Sequence, residues 1–310
     1  METKHYDVIV IGAGPGGMTA ALYASRANLS VLILDRGIYG GQMNNTAEVE
    51  NYPGYKSILG PDLAKKMFES ATQFSAEFAY GNVEQVTVDQ AGNKLIKTDN
   101  GSFTTKALVI ATGSQYKKLQ VPGEKEYSGR GVSYCAVCDG AFFRNQKVTV
   151  IGGGDSAIEE SSYLAQLTSE VDVIHRRDQL RAQKILQDRA FANSKIKFTW
   201  DTVVTKIIGD GQKVTGVLTH NKKTGKDQEV PTHGVFIYVG LLPVSEPFAD
   251  LGITDQNGWI LTNEQMETTI PGIFAIGDVR KKQLRQITTA VGDGGIAGQN
   301  AYNYLESLKR

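Results

Sequence analysis

Cys135 and Cys138 are the only cysteines in the chain, two residues intervene between them, and Asp139 follows at once. Thiols at this spacing can close a disulfide, help hold a metal or lie inert. A zinc site needs four ligands, and the candidates beyond the pair, His5, His175, His220 and His233, are scattered without pattern, so no metal is expected. Inert thiols would suit a core strand better than the Asp139-Gly140 turn that follows them. A redox-active dithiol is the favoured reading. The thiolate is the nucleophile of disulfide exchange, and a neighbouring acid can hold or return its proton. Cys135, Cys138 and Asp139 are therefore the candidate catalytic residues. Two glycine-rich loops, at 12–17 and 152–157, flank the pair. Electrons could enter from one nucleotide, cross a second and leave through sulfur.

The first loop reads Gly12-Ala-Gly14-Pro15-Gly-Gly17. It follows an apolar run at 6–11 (YDVIVI) and precedes an Ala-rich helical stretch at 18–27. In this context the first glycine permits a tight turn, the second lets backbone approach a pyrophosphate, and the third lets helix pack on strand. The anion then lies at a helix N-terminus, where free N–H groups and the dipole favour negative charge. Asp35 ends the next strand, at 31–35, about 20 residues on, where an acid meets a ribose hydroxyl.

The pattern recurs at Gly152, Gly154 and Ala157, with Asp155 and Ser156 in the same loop, after a strand at 147–151 and before a helix at 156–167. Here the strand at 171–174 runs into His175, Arg176 and Arg177, with Arg181 close behind. A carboxylate at that place would repel a 2′-phosphate, whereas guanidinium groups bind it with paired hydrogen bonds. The second site thus favours NADPH over NADH.

A chain of 310 residues suits about two domains. One nucleotide fold opens it and another interrupts it. The expected fold is α/β, with two Rossmann-like three-layer nucleotide-binding domains, the second inserted into the first. The first would comprise 1–115 and 247–310, since the last stretch is too short to form a core alone. The second, 116–246, would carry the cysteine pair, with joints at 114–117 and 243–247. Lys plus Arg and Asp plus Glu both number 33, which argues against generic nucleic-acid binding. No apolar stretch approaches the ~20 residues that span a bilayer, and 1–7 lacks an apolar targeting core. A soluble cytoplasmic protein is expected, and two cysteines in a reducing compartment point to redox work or metal.

Taken together, the motifs resemble those of the low-molecular-weight bacterial thioredoxin reductases over nearly the full length. They include GAGPGG, GGQM at 40–43, EVENYPG at 48–54, ATG at 111–113 and CAVCDG at 135–140. The likeness continues through GGGDSA, HRRDQLR at 175–181, GIFAIGDV at 272–279 and RQITTA at 285–290. The resemblance implies FAD in the first site and NADPH in the second. It implies FAD contacts from Gly41, Gln42, Asn51, Gly113, Gly277, Asp278, Arg285 and Gln286. An acid at a strand end, Asp278, suits a ribityl hydroxyl, and the start of the last helix, near Gln286 and Ile287, can stabilise negative charge on reduced flavin. Relatives often carry Glu where this chain has Asp35.

The resemblance also implies an order of events. Hydride passes from NADPH to FAD, the electrons open the Cys135–Cys138 disulfide, Cys135 attacks oxidised thioredoxin and Cys138, nearer the flavin, resolves the mixed disulfide. Asp139 matches the family's general acid. Rotation of the inserted domain between half-reactions and a homodimer are implied as well. Phe142 and Phe143, just past the pair, are candidates to dock thioredoxin or to pack in the core. The alternatives are a flavin-dependent dithiol reductase or oxidase of another disulfide, and a redox-sensing flavoprotein whose output is partner binding.

Overall fold

A computed structural model describes residues 3–46 and 48–310. Met1 and Glu2, where the segment read for targeting begins, and Ala47 lie outside the described residues. The chain forms two compact units, Met1–Gln115 with Leu242–Arg310, and Tyr116–Leu241. Both are Rossmann-like, and the second is inserted into the first. The chain returns to the first unit at Leu242, rather than at 247.

In the first unit the strands Glu77–Tyr80, Val31–Asp35, Lys4–Ile11 and Gly101–Ile110 lie side by side in parallel. Alternate residues face opposite sides, and each side has its own core. Val8, Val10, Ile33, Ala107 and Val109 pack with Met18, Ala20, Leu63 and Ala297 from the helices Pro15–Arg26, Gly60–Thr72 and Ile287–Ser307. Ile9, Ile11, Leu32, Leu34, Leu108 and Ile110 pack with Val86, Ile96, Phe248 and Ile260 on the far side. The strand Gly101–Ile110 forks. Its first half pairs with Lys94–Thr98, and its end pairs with Ile273–Ala275, which delivers Gly277 and Asp278 beside the glycine loop's sheet edge. The long last helix is rich in glycine because its backbone lies against the first helix. A Cβ on Gly294 would stand 2.3 Å from the Gly16 carbonyl oxygen, and one on Gly298 would stand 2.6 Å from that of Ala20.

The second unit repeats the plan. Its parallel sheet runs in the order Val132–Ser133, Gly234–Tyr238, Lys147–Gly152, Glu170–Ile174, Ile196–Thr199. The helices Ala136–Asp139, Asp155–Leu167 and Lys184–Ala192 supply core residues on one face. The antiparallel sheet Thr202–Gly209, Val214–Asn221, Asp227–Pro231 supplies them on the other.

One buried cation is unusual. Lys94 is fully buried; its Nζ donates to the Lys106 carbonyl at 2.8 Å and lies 5.2 Å over the Tyr304 ring. Burial lowers its pKa from 10.5 to about 8. The folded value lies below the unfolded one, so the charged form is penalised fully below pH 8, and the penalty fades as pH rises toward 10.5. At about 1.4 kcal/mol per unit the penalty is about 3 kcal/mol, offset by about 1 kcal/mol for the hydrogen bond. Lys94→Met is therefore expected to stabilise the protein by about 2 kcal/mol at pH 7, a rise of a few degrees in melting temperature, and by less at pH 10. Equal melting curves for the two proteins at pH 7 would refute this.

Candidate active site

Cys135 and Cys138 are joined as a disulfide with their Cα atoms 5.4 Å apart. Cys135 is extended and caps the short helix Ala136–Asp139, its sulfur accepting from the Cys138 N–H at 3.1 Å. The Ser133 hydroxyl brackets Cys135, accepting from its N–H at 3.0 Å and donating to its carbonyl at 3.2 Å. The Ala136 N–H, between the two cysteines, donates to the Tyr238 hydroxyl at 3.1 Å. Upstream, the buried carboxylate of Glu124 accepts from the N–H groups of Leu119 and Gln120 and from the Tyr134 hydroxyl. That ties down the residue before Cys135. Cys138 is exposed and Cys135 half-buried. Asp139 is half-buried and lines a groove with Arg130, Phe142, Lys213 and His233. The two phenylalanines part company. Phe142 is 78% exposed, whereas the Phe143 ring packs edge-on against Phe236 at 5.5 Å.

The first glycine loop has the shape of an anion cradle. Gly12 sits at φ +110°, and a Cβ there would stand 2.2 Å from the Ala111 carbonyl oxygen. Gly14 precedes the helix, no side chain caps that end, and the space around its Cα is open. Asp35 does more than its position suggests: one oxygen accepts from the Ala13 N–H at 2.7 Å and the other from Gly37 at 2.9 Å, so it also braces the loop. Further acceptor sites on each oxygen stay available to a hydroxyl. Gly41 touches the same loop, its Cβ position 3.3 Å from the Gly14 Cα, and the adjacent Gln42 donates to the Ser114 carbonyl at 3.3 Å. Asn51 donates to the Gln286 side chain at 3.1 Å. Gln286 in turn caps the last helix, which begins at Ile287.

Gly277 and Asp278 form a single 3-10 turn, with the Gly277 N–H held by Asp293 at 2.9 Å. Burial raises the Asp278 carboxyl, opposed by Lys282 and Arg285. No protein group donates to it among the described residues, so an incoming hydroxyl would meet a free acceptor. Arg285 stacks on Trp259 at 3.9 Å and donates to the carbonyls of Asp278 and Arg280. Gly113, at φ +72°, is open above its Cα. An open loop, an unpartnered acid and a helix start fit a dinucleotide with a polyhydroxyl chain, as FAD has. Sequence reasoning missed Trp259 and Asp293. Asp293 carried a signal, a lone acid within a glycine-rich apolar helix, where burial demands partners.

At the second loop a Cβ on Gly152 would stand 2.7 Å from that of Ala157, while Gly154 is open. Asp155 accepts from the N–H and side chain of Gln183 at 2.7 and 3.0 Å. The neighbouring Ser156 is exposed at the helix start. The His175 ring packs on Gly153, its Nε2 buried without a partner. Burial lowers its pKa, opposed by backbone hydrogen bonds at Gln179 and Gly152 and aided by Arg181 and Arg176. Arg176, Arg177 and Arg181 are exposed, and among the described residues no carboxylate is paired with them. Three free guanidinium groups at a strand end fit the 2′-phosphate of NADPH. No group of residues that could hold a metal occurs among the described residues.

Two dinucleotide cradles and a disulfide on the inserted unit define a nucleotide-dependent disulfide oxidoreductase. The chain matches the pyridine nucleotide-disulphide oxidoreductase family over residues 6–294 and belongs to it. It is 58% identical to the thioredoxin reductase of Listeria monocytogenes over 99% of this chain and 96% of that one. It is 56% identical to that of Bacillus subtilis over 99% and 97%. Among solved structures, Lactococcus lactis thioredoxin reductase in its FR conformation superposes with a TM-score of 0.96 at 56% identity, covering 97% of this chain and 99% of that one. Thioredoxin reductase from T. acidophilum gives 0.93 at 36%, covering 98% and 99%.

Proposed function

We infer that this protein is an NADPH- and FAD-dependent thioredoxin-disulfide reductase. The observation that carries the reading is the Cys135–Cys138 disulfide, closed across one helical turn beside Asp139 on the NADPH-type unit. When bound, NADPH supplies a hydride and FAD hands the electron pair to the disulfide. The first loop, Asp35, Asn51, Asp278 and Arg285 hold FAD; the second loop, His175 and the three arginines hold NADPH. Domain assignments follow: FAD on the discontinuous first unit, NADPH on the inserted one. The NADPH cradle and the cysteines share the inserted unit, and each must reach the other unit's cofactor. The inserted unit therefore turns about the crossings at Gln115–Tyr116 and Leu241–Leu242 between half-reactions.

In the exchange, one enzyme thiolate attacks a thioredoxin sulfur and the second resolves the mixed disulfide. Cys135, whose sulfur caps the short helix and accepts from the Cys138 N–H, is the attacking sulfur, and Cys138 is the resolving one, the order the family resemblance implies. Asp139 supplies a proton at the leaving sulfur. Purified protein mixed with NADPH, thioredoxin and a disulfide dye tests the function. Dye reduction that requires thioredoxin supports it, and a single round of reduction without turnover would point to a sensor.

Phe142 is the thioredoxin anchor, an exposed aromatic at the rim of the groove that holds Asp139, whereas Phe143 serves the core. Phe142→Ala is expected to raise the KM for thioredoxin about tenfold with kcat for the dye unchanged. Phe143→Ala should instead lower thermal stability, by about 3 kcal/mol. An unchanged KM in Phe142→Ala would sink the anchor. A cytoplasmic homodimer is the expected working form, supported by the family resemblance and by a thiol pair that must cycle in a reducing compartment. Light scattering at twice the chain mass and cell fractionation check the two halves of that statement. No described helix is long and apolar enough to cross a membrane.

A further inference from the structure

The residue before the redox turn is held by a buried carboxylate 10 residues upstream. Glu124 is 4% exposed, and the three donors that reach it are neutral. The Leu119 N–H donates to one carboxylate oxygen at 2.7 Å, the Gln120 N–H to the other, and the Tyr134 hydroxyl to the first at 2.5 Å. Gln120 sits at φ +62°, in the left-handed region that residues other than glycine seldom adopt. Consecutive N–H groups in a turn of this kind form a concavity for an anion. A charge taken out of water among neutral donors is costly, so the arrangement requires a reason. Burial raises the Tyr134 phenol, and the hydrogen bond to Glu124 adds to the effect, so Tyr134 keeps its proton and donates.

Cys135 is one peptide bond from Tyr134. Ser133 belongs to a strand paired with Gly234–Tyr238, and its hydroxyl brackets Cys135. On the other side the Ala136 N–H donates to the Tyr238 hydroxyl. The sheet thus fixes the residues on either side of the Tyr134–Cys135 pair. The Tyr134 ring packs with Leu119 and Val121 on the core that includes Tyr127 and Ile207. Packing against an apolar surface is non-directional, whereas the hydroxyl bond to Glu124 sets where on that surface the ring rests. Glu124 makes this bond from the loop between the strands Ser114–Tyr116 and Val132–Ser133.

We propose that Glu124 is a positioning residue for the redox-active pair: through Tyr134 it orders the backbone at Cys135 in the open dithiol, and so favours closure of the disulfide. The proposal rests on the redox role inferred above for Cys135 and Cys138. Reduction breaks the S–S bond, and two electrons and two protons convert the pair to two thiols. Closing the bond again requires the turn to return to one shape. The disulfide enforces that shape by itself, but the dithiol does not. A backbone already fixed at residue 134 keeps one thiol at high effective concentration toward the other. Without the Tyr134–Glu124 bond, the dithiol gains the freedom of about one backbone residue, which changes the equilibrium constant about tenfold. The disulfide gains none. The pair becomes easier to reduce, and its potential rises by about 30 mV.

Glu124→Ala would strand two N–H groups and threaten folding, so Tyr134→Phe is the sharper variant: it removes one hydroxyl and keeps the ring. The FAD-loaded proteins are equilibrated without oxygen in mixtures of reduced and oxidised dithiothreitol, and free thiols are alkylated and counted by mass. Each dithiothreitol gives two electrons and two protons to the pair and closes its own ring. Tyr134→Phe is expected to reach half-reduction at an about tenfold lower ratio of reduced to oxidised dithiothreitol than the wild type. Glu124→Gln, whose amide has one acceptor oxygen where the carboxylate has two, should shift the same way. Adding Tyr134→Phe to it should then shift the ratio by less than about tenfold, because both changes act on one bond. A lower melting temperature in Tyr134→Phe with an unshifted ratio would make the bond structural only and overturn the proposal, as would full additivity in the double variant. A pair that dithiothreitol leaves oxidised in the wild type as well would overturn the redox role itself, and the proposal with it. NADPH and thioredoxin are absent from the experiment, so the readout holds whichever disulfide the enzyme serves.

Discussion

Cys138→Ser is expected to stop turnover with thioredoxin, a loss of at least about a thousandfold, and to leave the two proteins joined through Cys135. Cys135→Ser should lose as much activity and form no adduct. The asymmetry follows from the local structure. Cys135 caps the short helix, where its sulfur accepts from the Cys138 N–H and a thiolate is favoured, and Ser133 brackets its backbone. A lone Cys135 thiol can open the thioredoxin disulfide, but the serine hydroxyl at 138 cannot resolve the product. Flavin bleaching by NADPH should survive in both variants, which separates loss of exchange from loss of cofactor. Non-reducing electrophoresis with equimolar thioredoxin reads the adduct directly. An adduct in Cys135→Ser alone would make Cys138 the attacking sulfur, and undiminished turnover in either variant would end the dithiol mechanism.

What could be read from the sequence was whatever local backbone geometry or charge dictates. Gly12 must be glycine, because its positive φ and the Ala111 carbonyl leave no room for a side chain, and that requirement is written in the motif itself. The run of arginines after a buried strand is equally local. The glycines of the last helix were harder, since they look like helix breakers until the first helix is seen lying against them. Contacts that join distant segments left no trace. The Trp259 ring under Arg285, the Asn51–Gln286 bond and the Tyr238 hydroxyl on Ala136 each depend on strands brought together only by the sheet order. Phe142 and Phe143 were alike as letters, and only the turn that places one over Phe236 and the other in solvent tells them apart. Asp155, which the fingerprint places at the cofactor, has a second task the sequence hides: its carboxylate caps the segment at Gln183, which carries the Arg181 loop.

That loop is the basis of the second large effect. Arg176→Ala with Arg177→Ala is expected to lower kcat/KM for NADPH by about a hundredfold or more while leaving NADH almost untouched. A charge-assisted hydrogen bond contributes about 1.5–3 kcal/mol, and about 1.4 kcal/mol is tenfold. Exposure of both side chains puts each near the lower end of that range. The backbone geometry should not change. The His175 N–H is held by the Thr199 carbonyl at 2.9 Å, the Asp201 N–H donates to the Arg177 carbonyl at 3.2 Å, and Arg181 donates its N–H to Gly153 at 2.7 Å. Neither guanidinium takes part in those bonds. His175 is buried against Gly153, which disfavours its charged form, so the preference for the phosphate falls to the arginines. The loss should appear in KM, because the 2′-phosphate lies far from the reacting ring and is bound equally in the ground and transition states. It should also shrink as ionic strength rises, since exposed charges are screened. A double variant that keeps its NADPH over NADH preference would remove the arginines from the cofactor site.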